Sequence, residues 1–375
     1  MKNRNVPIYA AAIVSLLAWG AERVILPADG GEARTAMARA AAIMDKSLSA
    51  LMACGENRGL AVDGTADPNR TGIIGVEHSP VTTTLGNLEA KRTTANPAWA
   101  ALLVRLLDEA GVAEGDPVAV GASSSFPGLI VATLSAVEAI GARPLVIASL
   151  GASQWGANRP GFGWLEMEDC LRAAGLLSHP PVAVSLGGDG DTGLDLSEEG
   201  RALLLAKMDS AGIPRIAEPD LALNVEARIA AFERAAGEKK IKAFVNIGGS
   251  WANIGTDASV LELKPGLTRV RISYQPGRNG VIQAISARGV PVIHLLNIRG
   301  LCRRYGLPWD PAPMPPSGAK ALGFRDLPGS PAFIILAGGY LFLLVLIGAV
   351  YGRRGPNPQT AEISRMIPQT KSKNR

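Results

Sequence analysis

Twenty consecutive uncharged residues, AFIILAGGYLFLLVLIGAVY from Ala332 to Tyr351, constrain this chain more than any other feature of it. As a helix rising 1.5 Å per residue, the run covers about 30 Å, the thickness of a bilayer's hydrocarbon core. Arg353 and Arg354 come directly after it, and the tail beyond is polar. A helix in the core of a globular domain has no such ending, so the run predicts a transmembrane helix. A second apolar segment, Val6 to Ala21, lies just after Lys2 and Arg4. At about sixteen residues it is short for a span but long enough for a signal anchor. Ala18-Trp19-Gly20 would also serve as the small-x-small site of a cleaved signal peptide. Under either reading, the chain beyond this segment is exported.

The formal charge of +5 is carried by the ends. The leader holds Lys2 and Arg4, and residues 352–375 hold Arg353, Arg354, Arg365, Lys371, Lys373 and Arg375 against the single acid Glu362. Taking these from the 38 basic and 33 acidic residues leaves 30 against 32 in the middle. A nucleic-acid binder carries its positive charge on the folded domain, so nucleic acid is excluded as a partner. Basic tails belong on the cytoplasmic side. The expected topology is a bacterial inner-membrane protein with both termini cytoplasmic and residues from about 22 to 331 outside. The expected segments are a leader and anchor at 1–26, an α/β domain at 27–307, a Pro-rich linker at 308–331, a span at 332–351 and a tail at 352–375.

Within the domain, apolar runs alternate with helical periodicities. Ala33–Met52 places Met37, Ala41, Met44, Leu48 and Leu51 on one face, with Gly55 as the stop. Ile73–Val76 is a short apolar run read as a strand, and Asn96-Pro97 opens a helix that Gly111 ends. Strands are expected at 118–121, 145–149, 182–185, 243–247, 269–273 and 290–295. Helices are expected at 127–140, 164–174, after Ser197, at 223–235 and at 280–287. Continuous apolar strands alternating with helices imply an α/β fold with a mostly parallel sheet and helices on both faces. The domain is either one large body or two lobes, with the acidic stretch at 187–197 as the candidate boundary. Cys54, Cys170 and Cys302 form no C-x-x-C; they are read as small buried hydrophobes, although one pair could bridge in an oxidising compartment.

Ligands of such sheets bind at the carboxyl ends of the strands. Three of the expected strands run into Gly121-Ala122-Ser123, Gly151-Ala152-Ser153 and Gly248-Gly249-Ser250. The first continues into Ser124 and Ser125, the third into Trp251 and Asn253. Glycine admits a ligand to the backbone and helix starts favour anions. The candidate ligand-binding residues are therefore Ser123, Ser124, Ser125, Ser153, Ser250, Trp251 and Asn253, with Lys91, Arg92 and Arg278 supplying charge. Glycine and serine are also ordinary turn residues in this fold. A nucleophile elbow would read G-x-S-x-G, and both Gly121-x-Ser123 and Gly248-x-Ser250 lack the final glycine. A serine reaction would use Ser250 or Ser123 with His78 or His294. Asp189-Gly-Asp191-Thr-Gly193-Leu-Asp195 lacks the terminal glutamate of a calcium loop and reads as a solvated turn. No metal and no cofactor is implied, and no P-loop occurs.

Five strings carry a resemblance: Ser79-Pro-Val-Thr-Thr-Thr-Leu-Gly86, Leu88 to Thr93, Ser124-Ser-Phe-Pro127, Gly151-Ala-Ser-Gln-Trp-Gly-Ala-Asn158 and Asn246-Ile-Gly-Gly-Ser-Trp-Ala-Asn-Ile-Gly255. With the order of anchor, α/β domain and C-terminal span, the chain resembles the bacterial poly-γ-glutamate system protein family over nearly its whole length. The resemblance implies a membrane-anchored accessory role in producing or exporting poly-γ-glutamate at the cell envelope. The partners would be the polymer, or the synthase and export proteins. It brings no catalytic residues with it. Two alternatives stand beside it: a serine-dependent hydrolase or transferase that trims or releases the polymer, and a membrane scaffold for the synthase. In the scaffold, Gly338, Gly339 and Gly348 would allow close helix packing.

Overall fold

Burial of whole strands on both faces is what the continuous apolar runs demand, and it is what the structure shows. The computed structural model describes residues 6–25, 31–315 and 331–352. In chain order the elements begin with α1 (Val6–Ile25), α2 (Gly31–Asn57), α3 (Leu88–Thr94), α4 (Ala98–Glu109), β1 (Pro117–Ser123), α5 (Pro127–Ile140) and β2 (Arg143–Ser149). A small hairpin of β3 (Asn158–Arg159) and β4 (Phe162–Gly163) leads into α6 (Trp164–Ala173), then β5 (Ala183–Ser185), α7 (Glu198–Ala211) and α8 (Leu221–Ala236). The second half holds β6 (Ala243–Ile247), α9 (Trp251–Ile254), β7 (Gly266–Thr268), α10 (Val281–Ala287), β8 (Val292–Leu295), α11 (Ile298–Tyr305) and α12 (Pro331–Gly352).

Local chemistry sets many of the boundaries. Pro127 opens α5, and Gly141 closes it in the left-handed region at φ 77°. Ser197 Oγ accepts the Gly200 N–H at 3.0 Å to cap α7, and Asp220 Oδ1 accepts the Leu223 N–H at 3.0 Å to cap α8. Asn96 Oδ1 accepts the Ala98 N–H at 2.9 Å at the start of α4.

The six-stranded sheet has the order β5-β2-β1-β6-β8-β7. All pairings are parallel except that of the edge strand β7 with β8. From β1 the chain builds outward through β2 to β5, then returns to add β6 on the other side of β1. Right-handed crossovers therefore place α5 and α6 on one face and α8 and α10 on the other. The packing agrees. Ala119, Leu145, Ile147, Phe244 and Val292 form one core with Val225, Ile229 and Phe232 of α8 and Ile282 and Ile285 of α10. The alternate residues Val118, Val120 and Val245 are absent from that cluster and are fully buried on the opposite face. The switch point, where strand order reverses, lies between β1 and β6.

Several expectations are corrected. Helix α2 runs past Gly55 to Asn57, because Gly55 packs on the Phe162 ring, 3.7 Å from where a Cβ would sit, and does not end the helix. Residues 73–76 form no strand; they are pinned to the loop around Trp155 by Gly75 N–H to Trp155 O and Trp155 N–H to Val76 O. Edge strand β7 precedes the expected 269–273 segment, which is irregular. Cys54 and Cys170 are bridged, joining α2 to α6, while Cys302 is free and buried. The acidic stretch at 187–197 lies inside one compact unit that begins at Gly31. Its Asp191 is 2% exposed, so it is no solvated turn. Part of the expected linker is docked on the domain: Arg92 Nε donates to Asp310 Oδ1 at 2.6 Å, and Asn69 Nδ2 to the Pro311 carbonyl at 2.8 Å.

The terminal helices form the second unit. Ser15 and Tyr340 share a hydrogen bond of 2.9 Å between α1 and α12. Among the described residues, one helix is long and apolar enough to cross a membrane, over Ile334–Tyr351 at mean hydropathy 2.4. Val6–Ala21 is a shorter apolar stretch. The leader at 1–5, the tail at 353–375 and residues 316–330 lie outside the described residues.

Candidate functional site

The carboxyl edge of the sheet is a row of small polar residues. Ser123 at the end of β1 stands level with Ser149 of β2, and Ser149 with Ser185 of β5. Across the switch point, Gly248 comes after β6 at φ 75°, with a would-be Cβ 3.1 Å from Ser123 Cβ. Gly121 is required by packing as well: a Cβ there would fall 2.4 Å from Asn253 Nδ2, so α9 could not close onto β1.

Beneath these loops α3 carries Lys91, which is 3% exposed. Its Nζ donates to the Ser125 carbonyl, lies 2.8 Å from Ser153 Oγ and sits 3.8 Å from the Phe126 ring centroid. Neither neighbouring charge reaches it. Glu89 accepts from Asn87 Nδ2 at 2.9 Å, and Arg92 is held by Asp310 at 2.5 Å. With no carboxylate among the described residues to compensate, burial pulls the Lys91 pKa down to about 7.

The loop bearing Ser153 is fixed from several sides. Thr83 N–H donates to Ala152 O and Gln154 N–H to Thr84 O, each at 2.9 Å, so the 79–86 segment runs beside it. Ser153 N–H donates to Ser125 Oγ at 2.9 Å. Trp155 has φ 64°, a conformation bulky residues adopt only under constraint.

Among the described residues several buried polar atoms around these loops have no partner: Ser124 Oγ beside Ser125, and Ser250 Oγ, Asn246 Oδ1 and Asn253 Nδ2 across the switch point. Such orphans are uncommon and call for an explanation. Asn246 Nδ2 lies 3.0 Å from His294 Nδ1. Burial pulls the His294 pKa down to about 4, so the ring is neutral near pH 7 and accepts from Asn246. His78 is exposed and pairs with Gln154 Nε2 at 2.9 Å. Neither Ser123 nor Ser250 hydrogen-bonds a histidine: Ser123 Oγ accepts from Ser125 N–H at 3.3 Å, and Ser250 Oγ has no partner. The serine–histidine pairs that the sequence allows are therefore not assembled.

A second polar cluster is not foreseen from the sequence. Asp191 and Arg228 form an ion pair of 2.6 Å with both side chains 1% exposed. Ser185 Oγ donates to Asp191 Oδ1 at 2.7 Å, Asn224 Nδ2 to Asp191 Oδ2 at 3.1 Å, and Arg228 Nε to Asn224 Oδ1 at 2.9 Å. The available signal is on α8, where Asn224 and Arg228 interrupt the apolar stripe of Leu221, Val225, Ile229 and Phe232.

The structure thus gathers Lys91, Ser125 and Ser153 in one place, and Ser123, Ser250 and Asn253 around the switch point. Trp251 is half-buried at the start of α9. Arg278 is exposed, and its carbonyl accepts the Thr256 N–H at 2.8 Å, on the far side of α9. Arg92 is committed to Asp310. No group of three metal-ligating side chains occurs among the described residues. A groove of about 310 Å³ lies beside the 79–86 segment, lined by Val81, Ala157, Arg159, Glu166, Leu203 and Lys207 among others. Comparison with protein-family models, curated proteins and solved structures finds no match to this chain.

Proposed function

We propose that this chain is a membrane-tethered bacterial envelope protein that binds a carboxylate-bearing polyamide of the poly-γ-glutamate class at the carboxyl edge of its sheet. One observation carries the reading: the five strings behind the family resemblance, spread over residues 79 to 255, meet at this edge. Segment 79–86 pairs with 151–154, Lys91 bonds Ser125 and Ser153, and Gly248 abuts Ser123. Distant segments that converge on one edge, with orphaned polar atoms among them, describe a binding site better than a set of unrelated turns. Half-buried Ser125, Phe126, Trp155 and Trp251 offer a hydroxyl and aromatic faces to an amide chain.

The export of the domain and its tethering in the inner membrane, with both termini cytoplasmic, belong to this reading. The Cys54–Cys170 bridge supports an oxidising compartment. The Ser15–Tyr340 bond supports a retained N-terminal anchor, since cleavage would strip α12 of that contact. The scaffold reading draws on Gly338, Gly339 and Gly348, where a Cβ would meet no atom within 4 Å, leaving room for a partner helix from a synthase or exporter.

The test is retention of the full chain, in detergent micelles, on immobilised poly-γ-glutamate. Saturable retention that weakens about tenfold in Trp251→Ala supports the reading. No retention at low salt sinks it.

A further inference from the structure

We propose that Ser153 is a nucleophile and Lys91 its general base, a pair that attacks the carbonyl carbon of an amide in the chain bound above them. The substrate class rests on the polymer reading; the chemistry of the pair does not.

Geometry comes first. Lys91 Nζ and Ser153 Oγ are 2.8 Å apart, within reach for direct proton transfer. A neutral amine has two N–H groups and one lone pair. The Ser125 carbonyl takes one N–H, which leaves the lone pair free to accept the Ser153 hydroxyl proton. The Phe126 ring covers Nζ on one side, and among the described residues no carboxylate pairs with it. The remaining nearby ionisable groups are engaged elsewhere: Glu89 with Asn87, Arg92 with Asp310, His78 with Gln154. Burial leaves Lys91 with a pKa of about 7, so a sizeable neutral fraction exists near physiological pH.

The nucleophile is also held. Ser153 N–H is bonded to Ser125 Oγ at 2.9 Å, and its carbonyl accepts the Gly156 N–H at 3.0 Å. Gly156 is needed for this turn, since a Cβ there would lie 2.8 Å from Ser125 Cα. The left-handed Trp155 stores strain two residues from the hydroxyl.

In the step, Ser153 Oγ bonds to the amide carbonyl carbon as its proton passes to Lys91 Nζ. The C–N bond then breaks, and the proton leaves Lys91 with the amine of the next residue. A γ-glutamyl ester remains on Ser153. Water, deprotonated by Lys91, cleaves this ester to a carboxylic acid and restores the hydroxyl. The net reaction consumes one amide bond and one water.

The test uses the full chain in detergent micelles and a fluorophosphonate, which marks activated serines, with the adduct located by mass spectrometry. Chain length and retention of poly-γ-glutamate are measured on the same samples. Labelling is expected at Ser153, rising about tenfold between about pH 6 and about pH 8 as the lysine loses its proton. Ser153→Ala and Lys91→Arg are expected to abolish labelling and shortening. Thermal unfolding of each variant identifies any that fails to fold, and Ser153→Gly, which likewise removes the hydroxyl, then replaces Ser153→Ala. Retention with neither labelling nor shortening overturns the pair and leaves the binding reading intact. Labelling of Ser153 without retention overturns the polymer and leaves the pair.

Discussion

Two buried cations stand at the carboxyl edge of the same sheet, and their surroundings differ. Arg228 is surrounded by acceptors: Asp191, Asn224 and Ser185 take its N–H groups, and Asp191 is satisfied in turn by Ser185 and Asn224. Lys91 has a carbonyl, a hydroxyl and an aromatic face, and no carboxylate among the described residues. The first cluster ties α8 to the end of β5 and leaves the ion pair no chemistry to perform, because each charge is matched. The second keeps a basic group that can exchange its proton. Within one fold, matched burial reads as structure and unmatched burial as a site.

Breaking the matched pair should have the largest effect. Asp191→Ala leaves Arg228 buried without its counter-charge and is expected to cost roughly 3–5 kcal/mol in chemical denaturation. Restoration of stability in an Asp191→Ala, Arg228→Met double variant would confirm that the orphaned charge, and no wider damage, was responsible.

Next comes the pH dependence of the unmatched lysine. Its folded pKa lies at about 7, below the ordinary 10.5. Between these values the unfolded chain holds a proton that the folded chain has lost, so stability should rise with pH across that window. The rise is of the order of a few kcal/mol, and Lys91→Met should flatten it. Glu168 gives the opposite sign: burial raises its pKa from 4.5 to about 8. Its contribution is fully present below the lower value and lost as pH climbs to the upper one. Glu168→Gln should remove that decline and leave the lysine's rise in place. Denaturation midpoints measured at closely spaced pH values separate the two.

The smallest effect is expected at Arg92, whose pair with Asp310 is about a fifth exposed on each side. Arg92→Ala should cost about 1 kcal/mol and speed amide exchange in residues 308–314, with little change near Ser153.

Much of the domain is legible in the sequence because strand and helix periods are local. The run from Pro127 to Ile140, with proline at one end and glycine at the other, marks α5 at both boundaries. Tertiary choices are not legible. Gly55 reads as a stop until Phe162 is seen against it, and Ile73–Val76 reads as a strand until Trp155 claims its backbone. At the site, the glycine- and serine-rich turns mark the right edge of the sheet. Proximity cannot be read: Lys91 and Ser153 are 62 positions apart, and nothing local shows that the lysine is buried. Asp191 reads as a solvated turn because its partner Arg228 lies 37 residues away, on another element.

The most direct measurement is a titration of the Lys91 side chain, observed by NMR at its ε-carbon in the full chain, with Lys91→Met to assign the signal. A midpoint near 7 is the expected result and matches a dry, uncompensated amine beside Ser153. A midpoint near the ordinary 10.5 would show that the amine keeps its proton and is only a structural cation, contradicting the reading of this edge as a reactive site.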